Sequence, residues 1–261
     1  TLEDFPEGIH PGGYYRYSSA EDSNTVRGEA RGLYQEKLGW TGGVAWRDFG
    51  DLSGGRDTGV QEYTDYEALS ADAKTSWRIS KVFTLTAAFQ SMDEDDVPRT
   101  HSTIYGTSFH GTQVGTDFRR ESDLQRRMAY LRAEVKPDAA WLQSASLTLS
   151  YQLIGEDERR VLARGNSQIQ GFDDHTGGVQ MVMVSPSPIG TWTYGTEYYG
   201  DFVDSFRKDY TASGALQAVR PRGPVADDAR YDAVGAFIQD EFHPVERLTV
   251  IAGGRYNYAH A

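Results

Sequence analysis

From Phe83 to Gln90 the chain alternates without a break: Phe83, Leu85, Ala87 and Phe89 fall on one side of an extended backbone, and Thr84, Thr86, Ala88 and Gln90 on the other. A period of two marks a β-strand with one apolar face. The pattern returns with Ala145, Leu147, Leu149, Tyr151 and Leu153, with Trp192, Tyr194, Tyr198 and Phe202, and with Leu248, Val250, Ala252, Tyr256 and Tyr258. Weaker alternation predicts further strands over residues 26–36, 38–49, 66–79, 124–136, 174–184 and 231–243. In the first of these Arg27, Glu29, Arg31 and Gln35 oppose Val26, Ala30 and Tyr34. About ten strands result, many reaching about 10 residues against a mode of about 5 to 6 in globular proteins.

The connections alternate in length. Short turns are expected near Lys37, near Ser80, over residues 137–142 and 185–190 and near residues 243–246, and long polar loops over residues 50–64, 94–122, 160–173 and 204–230. An antiparallel meander places all the short turns at one end and all the long loops at the other. Outer-membrane barrels sort their loops in this way, whereas a soluble sandwich has no reason to.

A barrel wall in lipid needs an apolar outer face and tolerates a polar lumen, so a mean hydropathy of -0.59 is compatible with one. Trp40, Trp46, Trp77, Trp141 and Trp192 fall near predicted strand ends, where amphipathic rings favour a membrane interface. The same rings would also fill an ordinary β core, and periodicity alone leaves barrel and sandwich open. No apolar run approaches the roughly 20 residues of a transmembrane helix. The formal charge of -12 argues against general nucleic-acid binding, and the absence of cysteine removes disulfides and thiolate chemistry.

The segment YDAVGAFIQDEFHPVERLTVIAGGRYNY, residues 231–258, resembles the barrel hairpin of TonB-dependent outer-membrane receptors. Phe237, Gln239, Asp240 and Glu241 match the first half of that hairpin, and Gly253, Gly254, Arg255 and Tyr256 the second; DDVPRTHSTI, residues 95–104, is similar to a passage in such receptors from a strand into an external loop. The resemblance implies an all-β fold: an antiparallel up-and-down transmembrane β-barrel, here a partial barrel forming a curled open sheet with short periplasmic turns and long extracellular loops. It implies that residues 1–261 form part of one barrel domain of about 22 strands, with the plug domain and the C-terminal strands outside the chain. The start at Thr1 without methionine fits a piece of a longer protein. The implied role is TonB-energised uptake of a scarce nutrient across the outer membrane of a Gram-negative bacterium. The cargo would be an iron complex, a ferric siderophore or haem. Implied partners are the TonB complex, acting through the plug, and the lipid and lipopolysaccharide around the wall. No cofactor and no nucleic acid belong to this role.

Residues 90–106, QSMDEDDVPRTHSTIYG, carry the densest candidate chemistry. Asp93, Glu94, Asp95 and Asp96 lack the glycine and the later glutamate of a calcium loop, and consecutive acids on a strand point in alternate directions. Pro98 has no N–H for a ladder and suits a strand exit or a bulge. Beyond it, Arg99, His101, Tyr105 and His110 share one loop, and imidazole and phenolate both ligate ferric iron. These four are the expected ligand-binding residues. No Gly-x-Ser-x-Gly elbow, His-Glu-x-x-His helix or Walker loop is present, so catalysis is not expected. Two other classes stay open: a complete small outer-membrane barrel with hydrolase activity at its rim, and a soluble β-sandwich that binds glycans. If Phe83, Leu85, Phe89, Leu147 and Leu149 were packed in an enclosed core, the membrane reading would fail.

Overall fold

The computed structural model describes residues 2–261. In chain order the strands are β1 Gly8–Ser18, β2 Ser23–Tyr34, β3 Leu38–Phe49, β4 Leu52–Ser53, β5 Val60–Gln61, β6 Tyr66–Arg78, β7 Phe83–Pro98, β8 Arg119–Val135, β9 Ser144–Val161, β10 Ser167–Pro186, β11 Gly190–Tyr210, β12 Leu216–Arg220, β13 Ala229–Val245 and β14 Leu248–His260. A single antiparallel sheet runs β1-β2-β3-β6-β7-β8-β9-β10-β11-β13-β14, with β12 added on β11, while β4 and β5 form a separate hairpin. Each strand of the meander pairs with the next along the sequence, as an up-and-down wall requires.

All ten expected strands are present, together with the short β4, β5 and β12 and one long strand, β1, that alternation did not reveal. β1, GIHPGGYYRYS, carries Pro11, Gly12 and Gly13 in its centre, which blurs its pattern. It pairs with β2 alone, and a proline is tolerated at such an edge. The expected long loop over residues 160–173 is a correction: β9 and β10 run on to Val161 and Ser167 and are joined by five residues. There the amide of Gly165 donates to Leu162 O at 2.8 Å and that of Leu162 to Asn166 O at 2.9 Å. Gly165 sits at φ +82°, open to glycine at little cost. At the opposite end Gln35 and Glu36 both take positive φ, closing the tight β2–β3 turn.

The sheet is inside out by the standard of a soluble protein. The register puts Val44, Trp46, Leu69, Phe89, Leu131, Leu147, Leu149, Val179, Val234 and Ile238 on one face. All of these are exposed; Leu149, for example, is 46% accessible. Phe83 and Leu85, on the same face, are half-exposed. Hidden small residues such as Ala45 at 2%, Ala68 at 2% and Ser76 at 6% lie on the opposite, polar face. Total accessible surface is 16427 Å², against about 11,400 Å² for a compact soluble protein of this mass. An exposed apolar sheet of this extent is untenable in water and needs another solvent. The rival sandwich, which buries that face, does not form.

Aromatic residues bracket the apolar face. Tyr34, Trp40, Trp77 and Trp192 stand near the short turns, and Trp46, Tyr151, Tyr198 and Phe202 towards the long loops. From Trp192 to Phe202 the strand rises about 33 Å, or about 23 Å at a 45° tilt, close to the ~25 Å apolar band of an outer-membrane barrel. The polar face is internally paired: Arg27 bridges Glu29 of its own strand at 2.8 Å and, across β3, Asp72 of β6 at 2.7 Å. Because the strands are staggered, one row of paired residues climbs obliquely: Val26, Trp46 and Leu69 are followed by Asp93, Gln125, Gly155, Asp173 and Asp204 on the same face.

In the full-length protein in phospholipid vesicles, Leu149→Arg is expected to lower the unfolding free energy by about 2–4 kcal/mol, and the adjacent polar-face Thr148→Arg by less than about 1 kcal/mol. Equal losses in a urea titration would mean that lipid does not contact this face.

Candidate functional site

β8 to β11 contain 17, 18, 20 and 21 residues, whereas about 9–11 suffice to cross a bilayer. Their surplus projects past the apolar band at the long-loop end, where both faces become charged. On the polar face this extension holds Arg120, Ser122, Glu156, Glu158, Arg160 and Gln170.

Glu158 is 1% accessible. Its carboxylate accepts from Arg120 Nε at 2.9 Å and from Gln170 Nε2 at 2.8 Å, with Arg99 Nε at 3.6 Å. Glu156, two residues back on the same face, accepts from Arg222 at 2.8 Å, Arg99 at 3.3 Å and Ser122 Oγ at 3.4 Å. A carboxylate withdrawn from water requires such donors. Two of the donors come from different connections: Arg99 opens residues 99–118, and Arg222 belongs to residues 211–228. The second loop is fixed further by Arg222 over the Phe172 ring at 5.0 Å, by Asp227 accepting from the Ser205 amide at 2.9 Å, and by Ser205 Oγ donating to Val225 O at 3.2 Å. One strand thus draws both loops onto the polar face.

Where β7 leaves the sheet a bulge falls between Glu94 and Val97, and Asp96, at φ +54°, donates its amide to Asp123 Oδ1 at 3.0 Å. Asp93 pairs with Arg127 at 2.6 Å, and the strand ends at Pro98. Of the acidic run, the structure makes a bulged exit. A 3-10 turn, Thr100–Ser102, follows. The loop closes on itself where the Ile104 amide donates to Asp117 O at 2.9 Å and the Asp117 amide to Ser102 O at 3.1 Å. The Asp117 side chain is 1% accessible and takes a two-pronged hydrogen bond from Arg160, at 2.7 and 3.0 Å.

The four expected ligand residues occupy this loop in different settings. Arg99 is held by Glu156 and Glu158. Tyr105 lies against Tyr63, ring centroids 4.3 Å apart, in a cleft of about 440 Å³ between residues 50–65 and 99–118. His101 and His110 are exposed, with the His110 ring edge-on to Phe109 at 4.1 Å. The structure brings no two of the four into contact. Among the described residues no three His, Asp or Glu side chains converge as metal ligands would. Sequence reasoning missed Asp117, Arg120, Glu156, Glu158, Arg160 and Arg222. The available signal was the run EDERR, residues 156–160, whose like residues Glu156 and Glu158 stand two apart as a strand face demands.

With this geometry the comparisons agree. The family described as TonB dependent receptor-like, beta-barrel, matches residues 45–261. No curated protein matches the sequence. Among solved structures the chain is similar to the copper transporter OprC, at 12% identity and a TM-score of 0.74, over 98% of this chain and 37% of that one. It is similar also to the ferric enterobactin receptor PfeA from Pseudomonas aeruginosa, at 12% identity and a TM-score of 0.66, over 97% and 40%. For the ferric citrate transporter FecA the values are 13% and 0.60, over 96% and 37%. The chain therefore spans about two fifths of the length of these proteins. At such identities the likeness is one of fold.

Two outcomes are expected in the full-length protein. Glu158→Gln should speed hydrogen exchange across residues 99–118 at least about tenfold, since it weakens charge-assisted hydrogen bonds; an unchanged rate would show that the loop is held by other contacts. Asp209 fastens β12 to β11. Burial would push its carboxyl up, but hydrogen bonds from Arg207 and Arg220 outweigh this and hold it below the usual carboxylate range. A depressed folded value means stability that is present at neutral pH and lost as pH falls through that value, below about 4. Exchange in residues 216–220 should accelerate there and, in Asp209→Asn, already at pH 7.

Proposed function

The chain belongs to the family of TonB dependent receptor-like β-barrels, and from that premise we propose that it supplies wall and external rim to an outer-membrane receptor that imports a scarce nutrient with energy relayed by TonB. The observation that carries this reading is the inverted sheet, with its exposed apolar face and its paired, polar opposite face. The apolar face meets lipid and the lipopolysaccharide leaflet, and the polar face lines the import route. The free edges, β1 and β14, meet the remaining strands of one barrel domain, and a plug inside it contacts TonB. The wall contributes binding and enclosure. No bond of the cargo is made or broken by it.

The cargo in this reading is an iron complex, a ferric siderophore or haem. His101, Tyr105 and His110 offer imidazole and phenolate groups on a loop that Glu156 and Glu158 hold over the route through Arg99. Arg99 acts through that tie, positioning the loop, Tyr105 steadies the outward side of the loop against Tyr63, and the two histidines meet the cargo. Geometry of this kind suits capture followed by release, because exposed single donors bind weakly one at a time and together only when the loop closes.

Replacing Arg99, His101, Tyr105 and His110 with alanine in the full-length receptor should reduce uptake of radiolabelled ferric siderophore or haem about tenfold while the heat-sensitive gel migration of a folded barrel persists. Uptake of copper supplied in parallel separates the two kinds of cargo. Iron uptake unchanged by the four substitutions removes the loop from capture, and copper uptake alone removes the iron reading.

A further inference from the structure

We propose that the cleft between residues 50–65 and 99–118 is a saccharide-binding subsite on the outward side of the rim, separate from the import route. The register fixes its side. Pro98 pairs with Glu121, and Glu121 shares a strand face with Ala129 and Leu131 of the apolar band. The cleft opens above that band, on the face turned towards the membrane. Its volume, about 440 Å³, lies in the range of about 300–1,000 Å³ typical of small-molecule sites.

Two features of its lining define the occupant. Tyr63, Tyr105 and Phe118 present aromatic surface and are 55%, 43% and 45% accessible. Tyr63 is held at φ +63°, an unfavourable conformation for a bulky residue. It is fixed there by the Thr100 hydroxyl donating to its carbonyl and by the Tyr105 ring. The second feature is a buried acceptor without a donor, set among mixed charges. Glu121 is 8% accessible; its Oε2 accepts from Arg119 Nε at 2.5 Å, but its Oε1 has no hydrogen-bond donor, and Arg159 Nη1 stands 4.0 Å from it. Asp65 and Asp96 add exposed carboxylates to the same lining and Arg119 and Arg120 add guanidinium groups, with Asp96 lying 4.0 Å from Arg119 and 3.7 Å from Arg159. A buried acceptor without a donor is costly unless a ligand supplies one.

The occupant must therefore donate as well as accept hydrogen bonds and lay a flat apolar surface on aromatic rings. A sugar ring does both, through its hydroxyls and its C–H face. An anionic metal chelate brings acceptors and leaves Glu121 Oε1 without a donor. The position admits two sources with one chemistry, the sugar headgroup of a surface glycolipid and a soluble saccharide. The inference rests on the proposed function only for the side from which the sugar arrives.

The test uses detergent-purified, full-length receptor, titrated calorimetrically with the oligosaccharide released from lipopolysaccharide by mild acid and, separately, with intact lipopolysaccharide. Tyr63→Ala and Glu121→Gln should each weaken binding at least about tenfold while iron uptake and barrel migration stay unchanged, which keeps this outcome distinct from failure of the uptake reading. Sensitivity of intact lipopolysaccharide to both substitutions identifies the glycolipid as the source, and sensitivity of the free oligosaccharide alone identifies a soluble sugar. Both support the subsite. No binding by the unsubstituted receptor, or binding of either probe that ignores both substitutions, overturns it.

Discussion

Lipid offers no hydrogen bonds, so a chain that crosses it must satisfy its own backbone amides and carbonyls. In this protein that demand is met by pairing each long strand with its neighbour along the sequence, an arrangement that ends the meander of described strands in open edges at β1 and β14. Everything else follows from the sheet so formed. Side chains on its two faces meet different solvents, and the period of two sorts them: Leu147 and Leu149 outward, Thr148 and Ser150 inward. The stabilising burial of this fold is then supplied by the membrane and not by a second layer of protein.

Above the apolar band the same strands obey water again, and the rules reverse. Carboxylates and guanidinium groups replace leucine and valine, and the two most deeply withdrawn carboxylates, Glu158 and Asp117, each accept from charged or amide donors. Removal of one partner from such a set costs more than the set contributes as a whole. The rim is therefore held in one arrangement by specificity of pairing, while His101 and His110 on its loop stay exposed.

The wall was legible in the sequence because its physics is local. Wherever one face met lipid, alternation named the strand, as at residues 83–90 and 145–153. Legibility failed where that contrast was lost. β1 hid behind Pro11, Gly12 and Gly13, and the upper halves of β8 to β11 hid because both faces carry charge, as in EDERR. The expected site residues sit on the expected loop, and Pro98 does end its strand. The partners of Arg99 could not be read, because Glu156 lies 57 residues away in sequence and only the register brings the two together.

The oblique row from Val26 to Asp204 has a mechanical consequence. Period-two patterning forbids a strand from slipping by one residue, since that would turn every apolar side chain inward. It is blind to a slip by two, which restores every facing. The charge boundary crossed by that row is not blind: sliding β7 by two residues would draw Asp93 about 7 Å towards the lipid. The membrane surface thus acts as a vernier, reading out a registration error that the sheet itself cannot detect.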